Sequence, residues 1–346
     1  MGERPDVPGI LQMQRAIGRR LLVGGGLVEV AATIPLIFLH SVVPIVALVV
    51  VLGAAASVTA ATWSALVPRV VGEDHLAEAI SAQQSLSVLA LVAAPAVGGL
   101  LAGAFGTGVA VAVDAATYVV VTIAAALVRT RRVPEQVVDE SSRARGGFAI
   151  LRADRVLAPL LAGVALVVLL VGMVDVVLVY LVRDTLDAGG VWYGVTEASW
   201  MAGMVAGALA GGRVTVERGQ VRATIAGAAL ACAMVAGFAV APAVWILVPL
   251  SVLGGIGNGY AGTCLSTLLM ARKADDARGR VSAAANAIFG GAQGVSFLLG
   301  GVVAVALSPR AIYAVAGLLG LAAAGVVAVT HASPDSEPAA LFGTPS

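Results

Sequence analysis

Asp175 and Glu197 each sit inside a long apolar run, as do Glu29 and Asp114, and these four acids are the residues best placed to do chemistry. A charged side chain at the centre of a bilayer costs about 2.5–3.5 kcal/mol on insertion scales, so one that is kept there carries a proton, meets a cation or pairs with a base. No Lys or Arg lies deep in the same runs to neutralise them. Asp175 stands eight residues before Arg183, about 12 Å from the edge of its run at 1.5 Å per residue. Glu197 closely follows Trp192 and Tyr193, an aromatic pair suited to a membrane–water interface. Folding this hairpin about residue 187 brings Asp175 and Glu197 to similar depth on adjacent helices. Carboxylates that close would share a proton unless the helices turn them apart. Glu29, about 13 Å past Arg20, is a further proton-coupling candidate or a structural contact. Asp114 stands six residues from Gly108, near the end of its run.

The elements that hold these acids are membrane helices. Hydrophobic residues make up 59% of the 346 and charged residues 12%, with a mean hydropathy of +0.98. Soluble domains carry roughly 25% charge, and no stretch here supplies a polar surface. About ten runs are each long enough for the ~30 Å hydrocarbon core. They cover 20–39, 42–67, 83–104, 108–128, 156–182, 192–211, 223–241, 243–270, 281–306 and 311–330. Met1 to Gln14 is polar and does not read as a signal peptide. Cys232 and Cys264 lie within apolar runs without disulfide or metal spacing and read as small hydrophobes.

The basic residues fix an orientation. Nineteen of the 21 Lys and Arg fall before the first run or in alternate connections; only Arg183 and Arg310 fall on the other side. The positive-inside rule makes the basic side cytoplasmic and places both termini inside. The outer turns (Phe105 to Gly108, Ala241-Pro242, Ser308 to Arg310) are short, so successive helices form tight hairpins.

The longest connection divides the chain into an incomplete N-terminal helical half (1–128), a cytoplasmic central loop (129–155), a six-helix C-terminal half (156–330) and a flexible cytoplasmic tail (331–346). The end of the loop, Gly146 to Arg152, is suited to a short amphipathic helix at the cytoplasmic interface. The halves echo each other: Gly98-Gly99 and Gly300-Gly301 stand 202 residues apart, as do Gln84 and Asn286. Internal repeats mark secondary transporters, which bind substrate near the midplane.

Gly203, Gly207 and Gly211 recur every four residues, and Gly255 with Gly259 makes another such pair. Small residues at this spacing let membrane helices approach closely. Asn258, Tyr260, Asn286 and Gln293 add hydrogen-bonding groups suited either to helix–helix contacts or to a substrate cavity. Other chemistries lack their residues. His40, His75 and His331 fall in loops or tails and make no metal cluster or triad, and no G-x-x-x-x-G-K-[ST] phosphate loop exists. Topology accounts for the arginines, leaving no case for nucleic acid. No cofactor or metal is expected.

Four ordered segments resemble exporters of the major facilitator superfamily. Trp63 to Val71 with Leu76-Ala77-Glu78-Ala79 resembles the loop after the fourth helix of that family. Ala94-Pro95-Ala96-Val97-Gly98-Gly99 is similar to its G-P-x-x-G-G antiporter motif in the fifth helix, with Ala94 in place of the first glycine. Phe148 to Leu157 resembles the segment before the seventh helix. Asp275 to Ser282 is similar to the D-E-x-R-G-R-V-S segment before the eleventh. The branch holding the enterobactin exporter and the macrolide efflux pumps is the nearest in pattern.

The resemblance implies an all-α bundle in two pseudo-symmetric halves, with about ten of an expected twelve transmembrane helices. Gly18-Arg19-Arg20 aligns with the end of the G-x-x-x-D-R-x-G-R-R loop, whose aspartate and first arginine fall on Arg15 and Ala16. The first run here is therefore the family's third helix, and a truncated start is expected. Pro95, Gly98 and Gly99 take the conformational role of the antiporter motif, and Arg19, Arg20, Arg278 and Arg280 join Asp114 as structural charges. The expected function is secondary active export of an amphipathic small molecule (a drug, natural product or siderophore) by proton antiport. The protein would work as a monomer in the plasma membrane, with protons, substrate and the bilayer as its partners and no enzymatic activity. The alternative is a non-transporting remnant or accessory membrane protein that keeps the fold.

Overall fold

The computed structural model describes residues 7–39, 41–71, 76–127, 140–154, 156–271 and 275–332. All regular structure among them is helical: α1 (Val7–Leu36), α2 (Val42–Val71), α3 (Leu76–Phe105), α4 (Thr107–Leu127), α5 (Glu140–Ala153), α6 (Leu157–Tyr180), α7 (Gly190–Gly211), α8 (Glu217–Ala239), α9 (Leu247–Ala271), α10 (Asp275–Ala306) and α11 (Pro309–Ala332). Setting α5 aside leaves ten long helices, matching the ten apolar runs. Among the described residues, eight spans are long and apolar enough to cross a membrane. The other two long helices are α1, whose apolar part is Leu22–Leu36, and α7, whose apolar character is diluted by Trp192, Tyr193, Glu197 and five glycines. A helix apolar on all sides satisfies its own backbone and is the form a chain takes in lipid.

The turns follow from local chemistry. Gly106, the single residue between α3 and α4, has φ +90°, a left-handed conformation open to glycine. Pro309 opens α11, where its missing N–H leaves nothing unsatisfied. Asp154 Oδ1 accepts the backbone N–H groups of Val156 and Leu157, both at 3.0 Å, and caps the start of α6. Arg310 donates to the carbonyls of Ala239 (3.3 Å) and Ala241 (3.0 Å). Its guanidinium thus satisfies acceptors left over at the end of α8.

The chain forms two compact units, Met1–Leu91 with Val97–Val138, and Val92–Ala96 with Asp139–Ser346. In the first, α1 packs on α2 and α4. Gly25 faces Thr59 and Gly26 faces Thr122 at these contacts. In the second, α8 packs on α9 and α11, α9 on α7, and α6 on α10 and α11. The 202-residue offset is written into this pairing. Shifted by 202, α3 (76–105) falls on 278–307, over α10, and α4 (107–127) falls on 309–329, within α11. The same shift relates α1 and α2 to α8 and α9, so α1 with its neighbours α2 and α4 repeats α8 with α9 and α11. Within the second unit, α6 and α7 are additional to the repeat.

The segment read as a short amphipathic helix, Gly146 to Arg152, lies within α5, which packs against α10. Gly147 sits on the carbonyl of Arg280, and Leu151 is 3% exposed in a cluster with Leu157, Val281 and Ala284. A glycine and a leucine one turn apart bring the two backbones together, so protein covers this side of the helix.

Candidate functional site

The second unit holds a partly open cavity of about 480 Å³, lined by α6 to α11. Its shape follows from where small residues let helices meet. Gly203 and Gly207 of α7 lie against the carbonyls of Val252 and Ile256 on α9, while Gly255 and Gly259 of α9 lie against those of Trp200 and Met204 on α7. The two glycine stripes therefore interleave, each admitting the other helix's backbone. Gly227 and Gly257 do the same between α8 and α9, and Gly317 against Ala236 between α11 and α8. With α7, α9, α8 and α11 drawn together, the remaining space opens between α6 and α7, and both carboxylates stand on its wall.

Asp175 (α6) is exposed to the cavity and Glu197 (α7) is half-buried at its edge. Neither has a hydrogen-bond or ion-pair partner among the described residues, and no Lys, Arg or His lines the cavity. The two are near enough to feel each other's charge, and both reach Tyr193 and Tyr313. Tyr313 Oη donates to the carbonyl of Val174 at 3.0 Å, and its ring stacks on Phe238 at 5.2 Å between centroids. Just beyond Asp175, α6 loosens into a π-helical turn, Leu181–Thr185, a form that recurs at functional sites.

Of the four polar residues proposed for a cavity, Asn258 and Gln293 line this one. Asn258 Nδ2 donates to Met204 Sδ at 3.8 Å, and Gln293 Nε2 to Ser296 Oγ at 3.5 Å. Tyr260 is half-buried against Gly211, and Asn286 is exposed on α10; neither lines the cavity. Glu29 lies in the first unit, 3% exposed on α1. Asp114 is exposed on α4, and both acids reach Tyr118 electrostatically. Pro95 and Gly98 lie within the unbroken α3, Gly99 is buried there, and a Cβ on Gly98 would meet open space. Arg280 is exposed at the start of α10. The side chains of Arg19, Arg20 and Arg278 lie outside the described residues, as do His40 and His75.

Sequence reasoning missed Ser251, Trp200, Met201 and Tyr313 as cavity residues. For Trp200 a signal existed, since it follows Glu197 by three and shares its helix face. Ser251 and Tyr313 carried none.

The model described as Major Facilitator Superfamily matches residues 9–296. Among solved structures the chain is similar to the nucleoside transporter NupG, in the crystal structure of a single mutant, with a TM-score of 0.69 and 9% identity over 90% of this chain and 83% of that one. It is also similar to the fucose:proton symporter FucP of E. coli, likewise a single mutant, with a TM-score of 0.49 and 12% identity over 91% of this chain and 84% of that one. At 9% identity, the NupG likeness speaks to the fold. No curated protein matches the sequence.

Proposed function

The chain belongs to the Major Facilitator Superfamily, a family of membrane transporters, and we propose that it is a secondary active exporter that moves an amphipathic small molecule by proton antiport. One observation carries this reading. Two carboxylates without basic partners share a largely apolar cavity, within reach of each other's charge. Two such groups in a low-dielectric wall do not hold two negative charges at once without a counter-ion. Binding a proton relieves that repulsion, and so does binding a substrate that brings compensating charge or donors. A site that is satisfied by either one, and poorly by neither, links the two fluxes. The segment Ala94 to Gly99, similar to an antiporter motif, supports export over uptake.

In this reading Asp175 and Glu197 hold the exchanged proton, with Glu29 as a further candidate, while Asn258 and Gln293 orient substrate. The remainder of the wall is largely apolar, and charge interactions are stronger beside low-dielectric surfaces than in bulk water. The protein works as a monomer in the plasma membrane with both termini cytoplasmic, consistent with the basic residues of alternate connections.

The test is proton counterflow in proteoliposomes loaded with a pH-sensitive dye and challenged with amphipathic compounds of each charge class. Asp175→Asn is expected to insert in normal amount and to lose substrate-dependent proton movement. Wild-type counterflow in that variant would remove Asp175 from the coupling role.

A further inference from the structure

We infer that the cavity of the second unit takes an apolar monocation, typified by a protonated lipophilic amine, with Asp175 and Glu197 as its counter-charge and the Ser251 hydroxyl as acceptor for its N–H. This deepens the transporter reading and rests on it only for the statement that substrate occupies this cavity.

Charge is the first ground. Among the described residues, the side chains on the cavity wall that carry charge are two acids, and no Lys, Arg or His lines it. An anion entering would meet repulsion and find no cationic partner, whereas a cation finds two carboxylates that have none of their own. With one proton shared between the acids, a single positive charge completes neutrality.

The wall is the second ground. Trp200, Phe238 and Phe289 present ring surface, and Met201 and Met204 present polarizable thioethers. Aromatic faces attract a desolvated cation, and methionine adapts to irregular apolar shapes. A volume of about 480 Å³ falls within the range of about 300–1,000 Å³ typical of pockets for drug-sized ligands, far beyond the needs of a proton or metal ion.

Ser251 is the third ground and is independent of the acids. It is 1% exposed, lines the cavity, and its Oγ has no hydrogen-bond partner. Neighbouring hydroxyls do not share this condition: Thr196 donates to the carbonyl of Trp192 and Ser199 to that of Val195, each at 2.7 Å. The register between α7 and α9 places Ser251 close to the acid's level. Gly203 abuts Val252 and Gly255 abuts Trp200, so Ser251 stands one turn outward from Gly255, beside the turn that carries Glu197. A buried hydroxyl without a partner is costly to keep, and an ammonium N–H in the cavity would satisfy it.

The experiment uses the full chain in lipid nanodiscs and equilibrium dialysis. The first probes are tetraphenylphosphonium and tetraphenylborate, which present four phenyl groups around opposite charges. Tetraphenylphosphonium is expected to bind and tetraphenylborate to fail. The double substitution Asp175→Asn with Glu197→Gln should weaken the cation by at least about tenfold, while Asp175→Glu retains binding and shows that loss does not come from misfolding. The second probes are imipramine, whose protonated amine offers one N–H, and its quaternary N-methyl derivative. Ser251→Ala should weaken imipramine by roughly three- to tenfold and leave the quaternary form unchanged. Equal binding of both tetraphenyl ions, binding of neither, or full affinity in the double variant would overturn the cation assignment. Equal effects of Ser251→Ala on both amines, or none on either, would overturn the hydroxyl's part. Acid-dependent cation binding without proton counterflow would leave this inference standing and sink the antiport reading. Proton-coupled movement of neutral or anionic compounds alone would do the reverse.

Discussion

The hydroxyl of Tyr313 on α11 donates to the carbonyl of Val174 on α6 at 3.0 Å, one residue before Asp175. That carbonyl already sits within a helix, so the bond is additional and ties the backbone beneath the cavity acid to a buried, 2%-exposed ring. Tyr313→Phe keeps the stacking on Phe238 and removes only the bond. A loss of about 0.5–1.5 kcal/mol is expected, seen as a lower unfolding midpoint in detergent. The variant should also bind cavity ligand more weakly, because the Asp175 segment gains freedom. An unchanged midpoint would show that the bond holds nothing in place.

The interleaved glycines of α7 and α9 should not tolerate side chains. Gly207→Val would drive two methyl groups toward the carbonyl of Ile256, and overpacking of this kind costs typically about 1–3 kcal/mol. Gly291, where a Cβ would meet nothing within 4 Å, is the control. Gly291→Ala should stay within about 0.5 kcal/mol of wild type. Comparable melting of both variants would contradict the close approach of the two helices.

Cys232 and Cys264 are both 0% exposed. The sulfur of Cys232 faces Gly320, and Cys264 Sγ donates to the carbonyl of Gly211 at 3.7 Å. Neither should react with a membrane-permeant maleimide in the folded protein, and both should react once it is unfolded in denaturing detergent. Rapid labelling of either in the native state would place it at a surface.

Orientation is tested with cysteines introduced into a background where Cys232 and Cys264 are alanine. Gly189 and Pro242 are exposed at the turns after α6 and α8 and should label with impermeant thiol reagent added to intact cells. Arg152 and Arg218, exposed at the opposite helix ends, should label only after permeabilisation. Gln220 is a poor reporter because it is buried and its Nε2 donates to the carbonyl of Val214 at 3.0 Å. The inverse pattern would reverse the topology.

Length and hydropathy determined most of the architecture. A run such as Leu157 to Tyr180 has one stable form in lipid, so the ten spans and their hairpin turns were legible before any packing was known. The 202-residue echo was legible as well, because repeats keep their spacing even where apolar residues interchange. Asp175 and Glu197 announced themselves by the cost of placing charge among apolar side chains.

What the sequence did not settle was which way each helix faces. Helices apolar on every side carry little pattern distinguishing lipid from neighbour, so nothing in the order of residues assigned Asn258 and Gln293 to the cavity and left Tyr260 and Asn286 off it. The glycine stripes promised close contact without naming the partner, and only the packing of α7 on α9 supplied it. Ser251 was one serine among many until the fold enclosed it at the cavity wall without a hydrogen-bond partner. Composition and spacing act along the chain; the facing of each side chain depends on contacts between helices far apart in it, and only the tertiary structure decided those.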